Sequence, residues 1–174
     1  MTHVQELMSS PAVSCQLSDS LNRAAQIMWD HDCGCVPVVD PLNHVVGIVT
    51  DRDVCMGAYT QGRALFDIAV SSVCTRELHT IGPHDSLDHA QAVMAKHQVR
   101  RLPVVSADGQ LVGVLSLSDL ARRVPHASIS KSRSTNALSS VVEAVSRWRN
   151  THAGTESRRY EVHPDSGRHM KPSS

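Results

Sequence analysis

Moved against itself by 66 residues, the chain repeats. Val4 falls on Val70, Asp19-Ser20-Leu21 on Asp85-Ser86-Leu87, Ala24 on Ala90, Met28 on Met94 and His31 on His97. Pro37-Val38-Val39 falls on Pro103-Val104-Val105, Gly47 on Gly113 and Asp53 on Asp119. Residues 4–54 and 70–120 are identical at 13 of 51 positions without a gap. Chance does not produce that, so the front of the chain is a tandem duplication. One unit of about 55–60 residues is a marginal fold alone, because so small a chain buries too little of its surface. Two related units can bury their sheets against each other, which makes the pair the expected folding unit.

Both units read alike. A short apolar stretch opens each, around Val13–Leu17 and His79–Ile81. Ser18/Asp19 and His84/Asp85 follow as expected caps, each before a helix. In those helices Leu21, Ala24, Ala25 and Met28, or Leu87, Ala90, Val93 and Met94, recur at helical spacing. A β-branched run comes next, VPVV or LPVV, then a turn, DPLN or ADGQ, the second with the Asp-Gly pair of a tight hairpin. The third element is HVVGIVT or LVGVLS, and the last, DRDVCMGAY or LSDLARRV, begins a helix just after a hydroxyl. The unit is β-α-β-β-α and the fold class is α+β. Gly57–Arg63 reads as the loop between units.

After Val124 the texture changes. Residues 125–134 are polar without periodicity and read as a linker. Over 135–150, Leu138, Val141, Val142, Val145 and Trp148 fall on one stripe of an amphipathic helix. From Thr151 to Ser174 almost nothing is available to bury, which predicts a disordered tail. The chain then divides into unit one, 1–66, unit two, 67–124, a linker, a helix and a tail.

Composition narrows the function classes. Only 3% of residues are aromatic, so a bare stacking platform for single-stranded nucleic acid is disfavoured. Residues 1–124 hold 9 Lys/Arg against 13 Asp/Glu and residues 125–174 hold 8 against 4, too dilute a basic footprint for nucleic acid. No run approaches the length of a membrane span, and no apolar core behind a positive flank marks a secretory signal. Five cysteines, odd in number and set in apolar runs, fit reduced thiols and a cytoplasmic location. His31, Cys33 and Cys35 have His97, Val99 and Arg101 as counterparts, so the set is not repeated and no metal is expected. Nothing outside the repeat offers a nucleophile with a base, a carboxylate pair or a metal set, so no catalytic residue and no enzyme is expected.

The most informative stretches are GIVTDRD, Gly47–Asp53, and GVLSLSD, Gly113–Asp119. Each ends an apolar strand at a hydroxyl, Thr50 or Ser116, and brings an aspartate three residues later. With the VPVV and LPVV strands and a VQELM-like leading segment, they resemble the cystathionine β-synthase (CBS) domain, in the form of a stand-alone bacterial-type tandem pair (Bateman module). The resemblance covers 1–124. It implies two units related by a pseudo-two-fold axis, with two clefts that bind adenosine-containing ligands: AMP, ADP or ATP, NAD or S-adenosylmethionine. It implies that Asp53 and Asp119 take ribose hydroxyls and that Thr50 and Ser116 bind ribose or phosphate. It places Arg100 and Arg101, just before the strand that carries Pro103, at the phosphate end. Unit one has Gly34 and Cys35 there, with Arg52 as partial compensation, so the clefts are expected to be unequal.

A carboxylate can accept from two vicinal hydroxyls at once, and charge-assisted bonds of this kind are worth about 1.5–3 kcal/mol. Helix capping alone also accounts for Asp at such a place, and Arg100 and Arg101 also read as a solvated strand start. Three function classes follow: a ligand-sensing regulatory module acting on an unknown effector protein, a scaffold of the same fold that has lost its ligand, and a regulator acting through the basic tail. No cofactor is required; an adenine nucleotide would be a regulatory ligand. A homodimer is expected as well, since Val54, Met56 and Leu120 on the last helices would otherwise lie exposed.

Overall fold

The computed structural model describes residues 2–122; the linker, helix and tail expected over 125–174 lie outside the described residues. Unit one runs β1 (Cys15–Gln16), α1 (Leu21–Asp30), β2 (Cys35–Val39), β3 (Val45–Thr50) and α2 (Asp51–Gln61). Unit two runs α3 (Leu87–His97), β4 (Arg101–Val105), β5 (Leu111–Ser116) and α4 (Leu117–Arg122). The α+β class and the tandem β-α-β-β-α plan are present. In unit two the expected opening strand is reduced to one parallel bridge, Ile81 to Val104. Its counterpart β1 pairs β2 over two residues.

Helix positions follow from the apolar stripe and the cap. Leu21, Ala24, Ile27 and Met28 of α1 are buried, as are Ala90 and Met94 of α3. The caps stand one residue beyond the expected ones. The Ser20 and Ser86 hydroxyls accept from the backbone N–H groups of Arg23 and His89 at 3.3 and 3.2 Å. Asp19 and Asp85 instead accept from the N–H groups of Gln16 and Gly82, which closes the turn before each helix. A serine hydroxyl is short enough to meet the third helical N–H, and so the aspartate is left free to bind backward.

The loop expected over Gly57–Arg63 is mostly helix. α2 continues to Gln61, and Gly62, at φ +60°, ends it in the left-handed conformation favoured at that position. Gly57 sits inside the helix for a packing reason. A Cβ there would lie 2.9 Å from both Leu21 Cδ1 and Val73 Cγ1.

Two hydrophobic cores form, and each takes the segment that leads the other repeat. Val4, at the head of the first repeat, is fully buried among Ile81, Met94, Leu102 and Leu115 of unit two. Val70, its counterpart, is fully buried among Leu21, Ile27, Val36 and Val49 of unit one. The backbone shows the same exchange. His3 bridges Ser86 as Ala69 bridges Ser20, and Ser9 bridges Val114 as Thr75 bridges Ile48. Every partner is displaced by 66, so the pseudo-two-fold relation is written in hydrogen bonds. The hairpin turns meet across it, His44 bridging Gln110 and the Asn43 side chain donating to the Leu111 carbonyl at 3.1 Å.

Val54 and Leu120 are not the exposed residues expected from the sequence. They complete the cores of units one and two and are 8% and 4% exposed. Among the described residues, the large apolar side chains left outside are Trp29, Leu42, Tyr59 and Phe66, all in unit one.

Candidate functional site

The two hydroxyl–aspartate pairs stand where a strand hands over to a helix. β3 ends at Thr50, and α2 begins at Asp51, so Thr50 is the N-cap of α2. The Thr50 backbone N–H and hydroxyl donate to Asp53 Oδ2 at 2.9 and 2.7 Å, and the Asp53 N–H donates back to Thr50 Oγ1 at 3.3 Å. This reciprocal cap satisfies two helix-end donors. At the other end of the duplication, the Ser116 N–H donates to Asp119 Oδ2 at 2.8 Å, its hydroxyl donates to the same oxygen, and the Asp119 N–H returns to Ser116 Oγ at 3.3 Å. Capping is therefore a real role of both pairs, and their presence twice does not by itself require a ligand.

What capping does not use is the second carboxylate oxygen. Among the described residues nothing donates to Asp53 Oδ1, and the residue is half-buried. Asp119 is 6% exposed, and its Oδ1 accepts from Arg122 Nη2. The pairs match in backbone but differ in what remains open.

Arg101 stands beside Gly34 and Asp51 of unit one although it belongs to unit two. A Cβ placed on Gly34 would lie 2.8 Å from Arg101 Nη2 and 3.2 Å from Asp51 Oδ2. The guanidinium therefore occupies the space that a side chain at 34 would fill, next to the residue that follows Thr50. The Asp51 N–H donates to the Gly34 carbonyl at 3.3 Å, which ties the start of α2 to the start of β2. Arg101 is half-buried and forms no salt bridge among the described residues. Its counterpart is Cys35, whose buried thiol is pushed up to about 11 and stays neutral.

The other expected residues are less central. Arg52 and Arg100 are exposed; the Arg52 N–H donates to Asp51 Oδ1 at 2.7 Å, and the Arg100 carbonyl accepts from Leu117 at 2.8 Å. Pro103 is buried in β4 on the face it shares with Arg101, and its carbonyl accepts from Ile81 at 3.1 Å. Arg122 was not among the expected residues. The signal for it is the spacing Asp119–Arg122, i to i+3 on one helix. No group of three or more His, Cys, Asp or Glu is placed to hold a metal ion among the described residues. Nor is any helix among them long and apolar enough to cross a membrane.

Comparison with known proteins agrees with this architecture. The chain is 36% identical over 121 residues to the CBS domain-containing protein YhcV of Bacillus subtilis (strain 168), an alignment spanning 70% of this chain and 84% of that protein. It is 29% identical over 129 residues to Hypoxic response protein 1 of Mycobacterium tuberculosis (strain H37Rv), spanning 74% and 90%. Among solved structures it is similar to Hypoxic Response Protein I with two coordinated zinc ions, with a TM-score of 0.63 and 28% identity over 71% of this chain and 100% of that one. It is also similar to the CBS domain pair of protein MJ0100 in complex with 5′-methylthioadenosine and S-adenosyl-L-methionine, with a TM-score of 0.63 and 27% identity over 70% and 94%. The family model for the CBS domain matches residues 4–57 and again residues 70–126. The chain belongs to the CBS domain family, as a tandem pair of such domains.

Proposed function

We propose that this chain is a regulatory module, not an enzyme, which binds an adenosine-containing ligand between its two units and passes that state to an effector protein. The observation that carries the reading is Arg101: a half-buried guanidinium that forms no salt bridge among the described residues and stands beside Asp51 at the start of α2, two residues before Asp53 and its open second oxygen. Burying a charge without a partner is costly. An anionic ligand whose diol binds Asp53 and whose phosphate meets Arg101 would complete both groups, and the N-terminus of α2 favours a phosphate electrostatically. The MJ0100 pair, with its adenosine-based ligands, supports the ligand class. AMP, ADP and ATP fit the arginine best; NAD shares the phosphate, and S-adenosylmethionine shares only the adenosine.

The site residues on this reading are Thr50, Asp53 and Arg101 in one cleft, and Ser116 and Asp119 in the other. Arg52, Arg100 and Pro103 border them. The functional divisions follow the repeat, 1–66 and 67–124, in a cytoplasmic homodimer that unit one forms through Trp29, Tyr59 and Phe66. A second reading, a scaffold without ligand, is favoured by the capping role of both pairs. A thermal-shift screen of AMP, ADP, ATP, NAD, S-adenosylmethionine and adenosine separates the two. The sensing reading predicts stabilisation that grows with concentration, about 2.7 kcal/mol at a hundredfold excess over Kd. A flat response to all six would leave the scaffold.

A further inference from the structure

We infer that Arg122 is a latch on the second hydroxyl–aspartate pair, so that the two pairs fill at different ligand concentrations, Thr50–Asp53 first. This rests on the nucleotide reading above. The duplication supplies an internal control, because each group has a counterpart 66 residues away. Both aspartates commit Oδ2 to the cap of their own helix. Among the described residues, only Asp119 of the two has its remaining oxygen engaged, by Arg122. The residue three beyond Asp53 is Met56, which has no charge to offer.

The hydroxyls differ in the same sense. Ser116 Oγ lies 2.7 Å from Ser118 Oγ, whereas the counterpart of Ser118 is Arg52. In unit two the hydroxyl and both carboxylate oxygens thus have partners within α4 and its cap. A vicinal diol must compete with the guanidinium for Asp119 Oδ1.

The contact is built to open. The Arg122 side chain is 75% exposed and the Asp119 side chain 7% exposed, so the arginine can swing into water without disturbing the core. An exposed ion pair is worth little, whereas a buried charge is costly to leave uncompensated, and this pair has one exposed and one buried member. The device therefore delays filling of the second cleft without forbidding it. Binding to a state that is only partly populated lowers the apparent affinity by that fraction. The pair of clefts then reports two concentration ranges of one ligand.

The test is a titration of the isotopically labelled full chain with AMP, following the backbone amides of Thr50 and Asp53 separately from those of Ser116 and Asp119. In the wild type the first pair responds at the lower concentration. In R122M, which installs the residue found at the equivalent place in unit one, the second midpoint falls about twofold to fivefold while the first stays put. R122Q, polar and of similar length, gives the same direction, and adding Asp119→Asn to R122M removes the second response. Coincident midpoints in the wild type would overturn the latch, as would an R122M midpoint that is unchanged or raised; a raised one would make Arg122 a ligand contact. Failure of both pairs to respond to AMP or S-adenosylmethionine, in wild type and R122M alike, would remove the nucleotide reading itself and the latch with it.

Discussion

At the scale of single residues, small or neutral side chains mark the places where something else must fit. Gly34 leaves room for the Arg101 guanidinium, and that neighbour is the far end of a flexible side chain. Gly34→Ala should therefore leave stability within about 0.5 kcal/mol but push the guanidinium aside. AMP affinity should fall while adenosine affinity holds, which calorimetry measures; equal losses for both would show that the change acts on the ribose end. The thiols are tuned in another way. Burial pushes Cys15 up from 9.0 to about 12, with the Asp19 carboxylate adding to the rise, and burial likewise pushes Cys35 up to about 11. Unfolded thiols ionise near 9.0 while the folded ones hold their protons, so stability is fully present below about pH 9 and is lost as pH rises toward 11 to 12. At neutral pH an alkylating reagent should label exposed Cys55 and spare Cys15 and Cys35. Mass spectrometry of the peptides decides, and early labelling of Cys15 would contradict its burial.

At the scale of elements, local pattern and long-range pairing contributed differently to what could be read in the sequence. The apolar stripes of α1 and α3, the strands β2 to β5 and the hydroxyl–aspartate pairs are local features, and the duplication displays each one twice. The serine caps were displaced by one residue because aspartate competes for the same role at the neighbouring position. Gly57 was read as loop because glycine weakens a helix, whereas the close approach of Leu21 and Val73 is visible only in the fold. The exchange of leading segments was illegible for the same reason. Periodicity says that Val4 is buried, not in which unit. Arg101 lying beside the other unit also depends on the assembled pair, which is why the phosphate end was read as two arginines; the Asp119–Arg122 spacing is local and was legible, but a short helix end gave no reason to single it out. The exchange has a consequence for stability. Val4→Ala should destabilise by about 2 kcal/mol, measured by urea unfolding. The first amides to lose protection in hydrogen exchange should be those of unit two; loss confined to residues 4–50 would contradict the exchange.

At the scale of the whole molecule, aromatic residues are few, yet Trp29, Tyr59 and Phe66 lie 87%, 71% and 69% exposed. Aromatic side chains of this size are enriched at interfaces because they bury large areas at low entropic cost. Unit two, 67–124, contains no Phe, Trp or Tyr, so a dimer formed on this surface would be built from unit one. Light scattering at tens of micromolar should give twice the chain mass, and Trp29→Glu with Tyr59→Glu should give the monomer. A wild-type monomer would contradict the dimer while leaving the clefts intact. Whether Asp53 and Arg101 together hold a nucleotide is tested most directly by AMP calorimetry on Asp53→Asn. Asparagine can still accept from the Thr50 N–H, so the cap and the fold persist while the charge that receives the ribose is gone. The variant should lose about 2 kcal/mol, or about thirtyfold in affinity, at an unchanged melting temperature. AMP affinity equal to that of the wild type would contradict it and leave the hydroxyl–aspartate pair as a helix cap alone.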